Sequence, residues 1–272
     1  MLNIFFIIIS IALTTVCCIA KNLLTVWWKF YIPILMFVGF FIAISIVFFL
    51  ILFIISKCIN IKKPIKKPNR FCIFLFNLVN GFIIFWSGTR VRVYGKEKID
   101  KNKKYLFVLN HKSNFDTMIL SNIFKKMEII YLSKPSNLKI PIAGGFIHKY
   151  GYLPIDRENN REAAVSITRA VQRIKQNNMS VGVCPEGTRN KTEEPLLPFR
   201  AGCFKVAKMA DVPIAVVCIK NSKNIHKNFP FKRTKVQVHI LDVLGTDVVQ
   251  NNNTMALSEM AYNKILEELN KG

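Results

Sequence analysis

Two short segments of this sequence carry side chains whose types and spacing suit chemistry on an anionic substrate. The first, N-H-K-S-N-F-D at residues 110–116, places a potential base, His111, five residues before a carboxylate, Asp116. The second, P-E-G-T-R at residues 185–189, combines a carboxylate, a glycine and an arginine within one turn. Because the first 70 residues are mostly apolar, we expect the substrate to be a lipid.

His111 and Asp116 suit a base and the carboxylate that orients it, provided that the segment is not wholly helical. On a regular helix, residues five apart point about 140° apart. A strand ending at Leu109, a turn holding His111 and a helix capped at Ser113 or Asn114 would instead bring the carboxylate back to the imidazole. A carboxylate on one ring nitrogen leaves the other as a base, with a substrate hydroxyl as nucleophile. The spacing of Ser113 and Asp116 also fits a helix-capping motif, which needs no catalytic role.

The second motif follows a predicted strand, and α/β proteins place their sites at the carboxyl ends of strands. Gly187 would allow a ligand to approach the backbone closely, and Arg189 offers a bidentate fork for phosphate. Two further basic residues, Lys134 and Arg157, lie in segments that resemble parts of an anion site. Each of these features also fits an ordinary solvated surface.

Composition divides the chain into an N-terminal part without carboxylates and a mixed remainder. The first acidic residue is Glu97, whereas soluble domains seldom go so far without one. The net charge of +23 suits either nucleic acid or an anionic membrane surface. Apolar segments adjoin the basic ones and the sequence has no nucleic-acid-binding signature, so we expect a phospholipid membrane as partner and no nucleic acid. The seven cysteines form no C-x-x-C pair, so neither a disulfide framework nor a metal site is predicted.

Hydropathy predicts a transmembrane helical hairpin followed by a basic linker. Residues 2–20 and 32–56 are uncharged runs long enough to cross a bilayer. The first run lacks a preceding basic residue and a good cleavage site, which argues against a cleaved signal peptide. Residues 57–70 carry six positive charges against two in the loop between the runs, which predicts that they lie in the cytoplasm. The interrupted apolar run 71–86 is predicted to be an amphipathic or partly embedded helix at the bilayer surface.

Beyond residue 91 the pattern alternates between short strands and helices, which is typical of an α/β domain. The predicted strands are 105–109, 129–132, 180–184, 214–219 and 236–241, and the predicted helices are 113–126, 162–176 and 254–269. We therefore predict an α/β fold, with a mixed sheet flanked by helices behind the N-terminal transmembrane hairpin. The expected domains are a membrane hairpin with its linker, 1–70, and a catalytic domain, 71–272, that begins with an interfacial helix at 71–88.

Four blocks of the sequence, in order, closely resemble the glycerophospholipid acyltransferase family typified by bacterial 1-acylglycerol-3-phosphate acyltransferases. They are N-H-x(4)-D at residues 110–116, a run ending in Asp-Arg at 151–157, P-E-G-T-R at 185–189 and V-P-I at 212–214. The resemblance covers about residues 85–245. Lys112, Cys184 and Asn190 replace residue types that are frequent in the family, but the chemical groups of the blocks are intact.

The resemblance implies acyl transfer from a thioester. His111, held by Asp116, would deprotonate an acceptor hydroxyl, which attacks the thioester of acyl-CoA or acyl carrier protein. The residues expected to bind the phosphate-bearing acceptor are Glu186, Gly187, Thr188, Arg189, Arg157 and Lys134. No metal or other cofactor is implied. The expected product is phosphatidic acid, made from 1-acylglycerol-3-phosphate by an integral membrane enzyme whose catalytic domain lies on the cytoplasmic face.

Two alternatives stay open in the sequence. One is the same chemistry on glycerol-3-phosphate or another lysophospholipid, because acceptor choice depends on the shape of a pocket. The other is a non-catalytic membrane lipid-binding protein that keeps the fold.

Overall fold

A computed structural model describes residues 2–23, 29–65, 67–156 and 159–271. In these residues the helices are α1 (Leu2–Ala20), α2 (Tyr31–Cys58), α3 (Arg70–Trp86), α4 (Phe115–Ile123), α5 (Ala143–Tyr150), α6 (Asn160–Asn177), α7 (Lys205–Ala210), α8 (Asn224–Asn228), α9 (Thr246–Asn251) and α10 (Thr254–Asn270). The strands are β1 (Thr89–Tyr94), β2 (Leu106–Leu109), β3 (Ile129–Ser133), β4 (Leu153–Pro154), β5 (Ser180–Val183), β6 (Ile214–Lys220) and β7 (Thr234–Leu244). Each predicted strand and helix is present with shifted ends, whereas β1, β4, α5 and α7–α9 were not predicted.

The described strands form one mixed sheet in the order β1-β7-β6-β2-β5-β3-β4. The run from β6 to β4 is parallel, β7 is antiparallel to β6, and β1 is parallel to β7. β2 and β5 are buried along their whole length, as expected of parallel strands covered on both faces. This architecture confirms the predicted α/β fold. We call the edge at which β6, β2, β5, β3 and β4 end the carboxyl edge.

The apolar helices α1 and α2 pack against each other and against α3. The Phe6 ring lies at the centre of this contact, with its centroid 5.4 Å from that of Phe48 and 5.9 Å from that of Phe82. At the end of α3, the indole Nε1 of Trp86 donates to Asn3 Oδ1 at 2.9 Å. Both α1 and α2 are long and apolar enough to cross a membrane by length and composition.

The linker after α2 packs onto the α/β domain. His148 Nε2 lies 3.0 Å from the Lys63 carbonyl oxygen, and the Asn69 amide donates to the Lys149 carbonyl at 2.9 Å. In α5, Gly145 is so close to Ser56 that a Cβ would lie 2.7 Å from its Oγ. The hairpin and the α/β domain are therefore in direct contact, and their division at residue 70 stays a prediction.

Helix α3 has a buried side and an exposed aromatic side. Its buried residues are Cys72, Ile73, Leu75, Asn80 and Ile84, whereas Phe71, Phe74, Phe85 and Trp86 are exposed. The exposed side is therefore apolar as well, so the amphipathic or partly embedded character predicted from the sequence stays a prediction. Its location at the bilayer surface stays a prediction.

A glycine in β5 allows an aromatic ring to lie against the sheet beneath the carboxyl edge. A Cβ on Gly182 would lie 2.3 Å from Cε1 of Tyr131. The Tyr131 ring is buried, and its hydroxyl donates to the Thr117 carbonyl at 3.1 Å. The ring therefore cannot move aside without losing this hydrogen bond and its packing.

We expect Gly182→Ala to lower the free energy of unfolding by about 1–3 kcal/mol, the usual cost of adding a methyl group to a packed core. Denaturant or thermal unfolding in detergent would measure the change. Gly202→Ala is the matched control, because no atom lies within 4 Å of the added Cβ at that position. Equal stability of the two variants would contradict the close packing at Gly182.

Candidate active site

The two motifs identified in the sequence leave the sheet side by side. β2 pairs in parallel with β5, with Val108 opposite Val183. Residues 110–116 follow β2 and residues 185–189 follow β5, so both segments begin at the carboxyl edge. Parallel pairing of strands that are about 75 residues apart in sequence thus brings the histidine motif beside the arginine motif.

Asn110 fixes the start of the histidine turn. Its side chain is buried, and its Nδ2 donates to the Ile219 carbonyl at 2.9 Å. Its Oδ1 accepts from the Ile219 amide at 2.7 Å. The side chain therefore continues the ladder between β2 and β6 by one step and holds the next residue, His111, at a fixed point beyond the sheet. Asn110 was not among the predicted site residues, although an asparagine directly after a buried strand was the available signal.

His111 and Asp116 form the pair expected from their spacing. Asp116 Oδ2 lies 3.0 Å from His111 Nδ1, and it also accepts from the amides of Lys112 and Ser113 at 2.8 and 2.7 Å. Helix α4 begins only at Phe115, so the histidine lies in a turn, as predicted. The bond to Ser113 also performs the capping role that the sequence left open. One carboxylate therefore does both: it ties the turn to the helix and orients the imidazole.

The hydrogen bond at Nδ1 leaves Nε2 as the nitrogen that can take a proton. A carboxylate oxygen only accepts hydrogen bonds, so the proton on neutral His111 is assigned to Nδ1. The Asp116 side chain is fully buried, whereas that of His111 is 18% exposed. The geometry thus gives a base that reaches the surface and is held from behind by a buried carboxylate.

Glu186 holds the backbone of the same histidine. Its Oε1 accepts from the His111 amide at 2.5 Å, and its Oε2 accepts from the Leu197 amide at 3.0 Å. The Asn190 amide donates to the His111 carbonyl at 2.7 Å. Burial raises the pKa of the Glu186 carboxyl above its ordinary value. Glu186 is therefore a positioning residue in this structure, a role that the sequence did not predict; its expected contact with substrate stays a prediction.

The turn after β5 requires glycine at position 187. Gly187 has φ of +76°, a conformation that other residues adopt with strain. Its amide donates to the Cys184 carbonyl at 3.0 Å, and a Cβ would lie 3.1 Å from Arg200 Nε. Thr188 and Arg189 follow on the exposed side of this turn. Arg189 is exposed, and its neighbour Asn190 bonds to the His111 backbone, so the backbone at Arg189 lies next to the histidine turn.

The remaining predicted phosphate-binding residues and the V-P-I block lie in different places relative to the carboxyl edge. Lys134 directly follows β3 and is exposed, so it lies at the carboxyl edge, one strand beyond β5. Arg157 lies outside the described residues. The V-P-I block lies at the opposite edge, where the Pro213 carbonyl accepts from the Leu106 amide at 3.0 Å. This block therefore supports the sheet, and binding of phosphate by Thr188, Arg189 and Lys134 stays a prediction.

Lys112 joins the histidine turn to the loop that follows the second motif. Its Nζ donates to the carbonyls of Glu194 and, at 3.5 Å, Thr192. Asn190 Nδ2 donates to the same Glu194 carbonyl at 2.9 Å. Burial and, to a lesser extent, the nearby Lys223 lower the pKa of Lys112. Two of the three departures from the family pattern thus have a structural role in connecting the two motifs.

No group of three or more His, Cys, Asp and Glu side chains that could hold a metal ion occurs within the ranges that the structure describes. The cysteines in these ranges are free. The expectation that no metal or other cofactor is needed stays a prediction.

Comparisons with known proteins agree with this geometry. Residues 90–220, which contain both motifs, match the family model described as Acyltransferase. The 1-acyl-sn-glycerol-3-phosphate acyltransferase of Saccharomyces cerevisiae is 29% identical over 185 residues, covering 67% of this chain and 60% of that protein. The Haemophilus influenzae enzyme of the same name is 28% identical over 207 residues, covering 71% and 85%, respectively. The Escherichia coli enzyme is 36% identical over 119 residues, covering 44% and 48%. The chain thus spans less than two thirds of the yeast and E. coli proteins.

A solved structure shares the fold. The crystal structure of the 1-acyl-sn-glycerophosphate (LPA) acyltransferase PlsC from Thermotoga maritima matches with a TM-score of 0.60 at 20% identity, covering 73% of this chain and 78% of that one. The two chains thus share an α/β fold in which helices flank a mixed sheet. The match to the Acyltransferase family model covers residues 90–220, which include strands β2 to β6 and both motifs.

We expect Glu186→Gln to lower turnover about 10–100-fold, because hydrogen bonds to charged groups contribute about 1.5–3 kcal/mol each. The amide nitrogen would face a backbone N–H, so either His111 or Leu197 loses its acceptor. The measurement is kcat and KM for acyl transfer, with the loss expected in kcat. Glu194→Gln is the control, because its exposed side chain lies on the neighbouring loop. Equal kcat values for the two variants would contradict the positioning role.

Proposed function

We propose that this chain is a membrane-bound acyltransferase that moves a fatty acyl group from a thioester donor to the free hydroxyl of 1-acylglycerol-3-phosphate, giving phosphatidic acid. The observation that carries the proposal is the His111–Asp116 pair at the carboxyl edge of an acyltransferase-family domain. The names of the yeast, H. influenzae and E. coli relatives support the choice of acceptor.

In the proposed reaction, His111 Nε2 takes the proton of the acceptor hydroxyl as its oxygen attacks the thioester carbonyl carbon. The resulting tetrahedral intermediate collapses, an ester forms, and the carbon–sulfur bond breaks. The thiolate leaving group then receives the proton from the imidazolium. Asp116, 3.0 Å from Nδ1, stabilises the imidazolium during these steps. The acceptor supplies the nucleophile, so the protein need not form a covalent intermediate.

Phosphate recognition is assigned to basic groups at the carboxyl edge. Arg189 and Lys134 are exposed there, and Arg189 has the planar donor geometry that suits phosphate. Arg157 is included on the basis of the family resemblance, with the backbone of Gly187 and the Thr188 hydroxyl. Glu186 is proposed to contribute to acceptor binding indirectly, by holding the turns that carry His111 and Gly187 to Arg189, because both of its oxygens accept backbone hydrogen bonds.

The donor and location follow from the same class of enzyme. We assign acyl-CoA or acyl carrier protein as the thioester donor and a phospholipid membrane as the site of action, with no nucleic acid partner. In this proposal α1 and α2 lie in the bilayer, α3 lies at its surface, and the domain from residue 71 onward lies on the cytoplasmic face. The apolar composition of α1 and α2 and the basic linker after them support this arrangement.

The test is acyl transfer by the purified full chain in liposomes. We expect His111→Ala to reduce product from 1-acylglycerol-3-phosphate by about 10²–10⁴-fold, the usual contribution of a general base. His226→Ala serves as control, because its imidazole is exposed and contacts the Phe115 ring instead of a carboxylate. Undiminished activity of the His111 variant would overturn the mechanism.

The same assay separates the rival functions. Product from glycerol-3-phosphate or another lysophospholipid, but not from 1-acylglycerol-3-phosphate, would keep the chemistry and change the acceptor. Folded, membrane-inserted protein that acylates no acceptor with either donor would favour the non-catalytic lipid-binding function.

Membrane orientation is tested by labelling single cysteines in a cysteine-free variant with an impermeant maleimide. We expect position 63 to be labelled from the cytoplasmic side and position 25 from the opposite side. Lys63 is exposed, and its carbonyl contacts His148, so a cysteine there retains the backbone contact; position 25 lies outside the described residues. Labelling from the reverse sides would overturn the orientation.

A further inference from the structure

The loop between α8 and β7 exposes two phenylalanine rings. Phe231 is 99% exposed, the largest fraction among the large hydrophobic residues described, and Phe229 is 54% exposed. Single exposed apolar residues are common on protein surfaces. Two exposed aromatic rings on one short loop form a candidate interaction surface. The charge of the neighbouring residues indicates which kind of partner this surface suits.

The loop is closed at its base by hydrogen bonds. The Lys232 amide donates to the Asn228 carbonyl at 2.7 Å, and Asn228 Nδ2 donates to Thr234 Oγ1 at 2.9 Å. The Phe229 amide continues α8 by donating to the Ile225 carbonyl at 3.1 Å. These contacts hold both ends of the loop and leave its tip, with Phe231, exposed.

Basic side chains surround the two rings. Lys227, Lys232, Arg233 and Lys235 are exposed, and residues 226–235 include no Asp or Glu. On the neighbouring strand, Arg90 lies opposite Lys235 in the β1–β7 register and is also exposed. Aromatic rings flanked by lysine and arginine match the chemistry of a bilayer interface, where rings enter the headgroup region and cations bind anionic lipids.

The loop directly adjoins the end of α3, which packs beside the apolar hairpin. The Thr234 amide donates to the Gly88 carbonyl at 3.2 Å, and Gly88 lies two residues beyond Trp86. Trp86 bonds to Asn3 at the start of α1, and its ring centroid is 5.8 Å from that of Phe41 in α2. Phe41 lies within α2, ten residues after its start, so the end of α3 contacts the side of this apolar helix. Lipid around the apolar hairpin would therefore come close to Trp86 and to the loop that adjoins it.

We propose that residues 229–233 form a membrane-docking loop that binds an anionic phospholipid surface, with Phe229 and Phe231 in the headgroup region and Lys232 and Arg233 on the headgroups. The proposal rests on the membrane association stated under Proposed function. β7 is antiparallel to β6, so its start at Thr234 lies at the carboxyl edge, as His111 does. Docking of this loop holds the edge that carries the histidine against the bilayer that supplies the lipid acceptor.

The test uses tryptophan as a depth probe in the full chain. Phe231→Trp and, as control, Met255→Trp are reconstituted into vesicles of phosphatidylcholine and phosphatidylglycerol, with and without brominated acyl chains. Met255 is 69% exposed in the first turn of α10, at the opposite edge of the sheet. We expect the emission added at position 231 to shift to shorter wavelength and to be quenched by bromine, and the emission added at 255 to do neither.

Charge is tested in the Phe231→Trp background. Neutralising Lys232 and Arg233 with glutamine should weaken docking of the loop about 30-fold on anionic vesicles, because each basic residue near such a surface contributes about 1 kcal/mol. Lys101→Gln with Lys103→Gln, exposed in the loop before β2, should leave the quenching unchanged. An equal effect of the two pairs would overturn the electrostatic part of the proposal.

The outcomes separate this proposal from the proposed function. Wild-type protein that fails to sediment with vesicles would overturn the membrane association itself. The protein could instead sediment with vesicles while the tryptophan at position 231 is unquenched by brominated lipid and as accessible to aqueous quenchers as the tryptophan at position 255. That result would overturn the docking of the loop and leave the membrane association intact. Protection of the probe at position 231 by an added acidic carrier protein, in the absence of quenching by brominated lipid, would overturn lipid docking and make this surface a protein-docking site.

Discussion

The hydrogen bond from the His111 amide to the buried Glu186 carboxylate joins the two halves of the site. The Asn190 amide completes the attachment by donating to the His111 carbonyl, so the second motif holds the histidine's backbone while Asp116 holds its ring. Taking a carboxylate out of water is costly unless donors replace the water. Glu186 meets this condition with the backbone amides of His111 and Leu197, and the backbone of the histidine is thereby held before any substrate arrives.

A base alone does not select a substrate, and the surroundings of the carboxyl edge add that selection. Exposed cations follow β3 and β5 at this edge, and the apolar helices α1 and α2 pack beside α3, which ends next to it. An acceptor with a phosphate and an acyl chain would meet both kinds of surface at once. Catalytic chemistry, phosphate recognition and membrane contact therefore share one edge of the sheet in the proposed function, since parallel strands bring all of their carboxyl ends to the same place.

The departures from the family pattern are also concentrated at this edge. Lys112 and Asn190 both donate to the Glu194 carbonyl, so they fold the loop after the second motif back over the histidine turn. Replacing a neutral side chain by lysine here brings a second cation close to Lys223, and the pKa of Lys112 is lowered accordingly, although burial is the larger cause. Relative to the family pattern, the reacting groups are therefore unchanged, and the substitutions alter the hydrogen bonds between the loops.

The sequence by itself determined the elements with strong periodicity and the contacts that are local in the chain. Hydropathy located α1 and α2, and short apolar runs between helical segments located the central strands. The spacing of His111 and Asp116 predicted their pairing, because a turn followed by the start of a helix brings residues five apart together. β4 is only two residues long and left too weak a pattern, whereas the alternating sequence T-R-V-R-V-Y of β1 was an available signal that was missed. Only the tertiary structure decided that Glu186 supports His111 and that Thr234, at the end of the phenylalanine loop, bonds to Gly88. Those contacts join residues 75 and 146 positions apart, and their proximity depends on strand order and register, which arise from packing of the whole sheet.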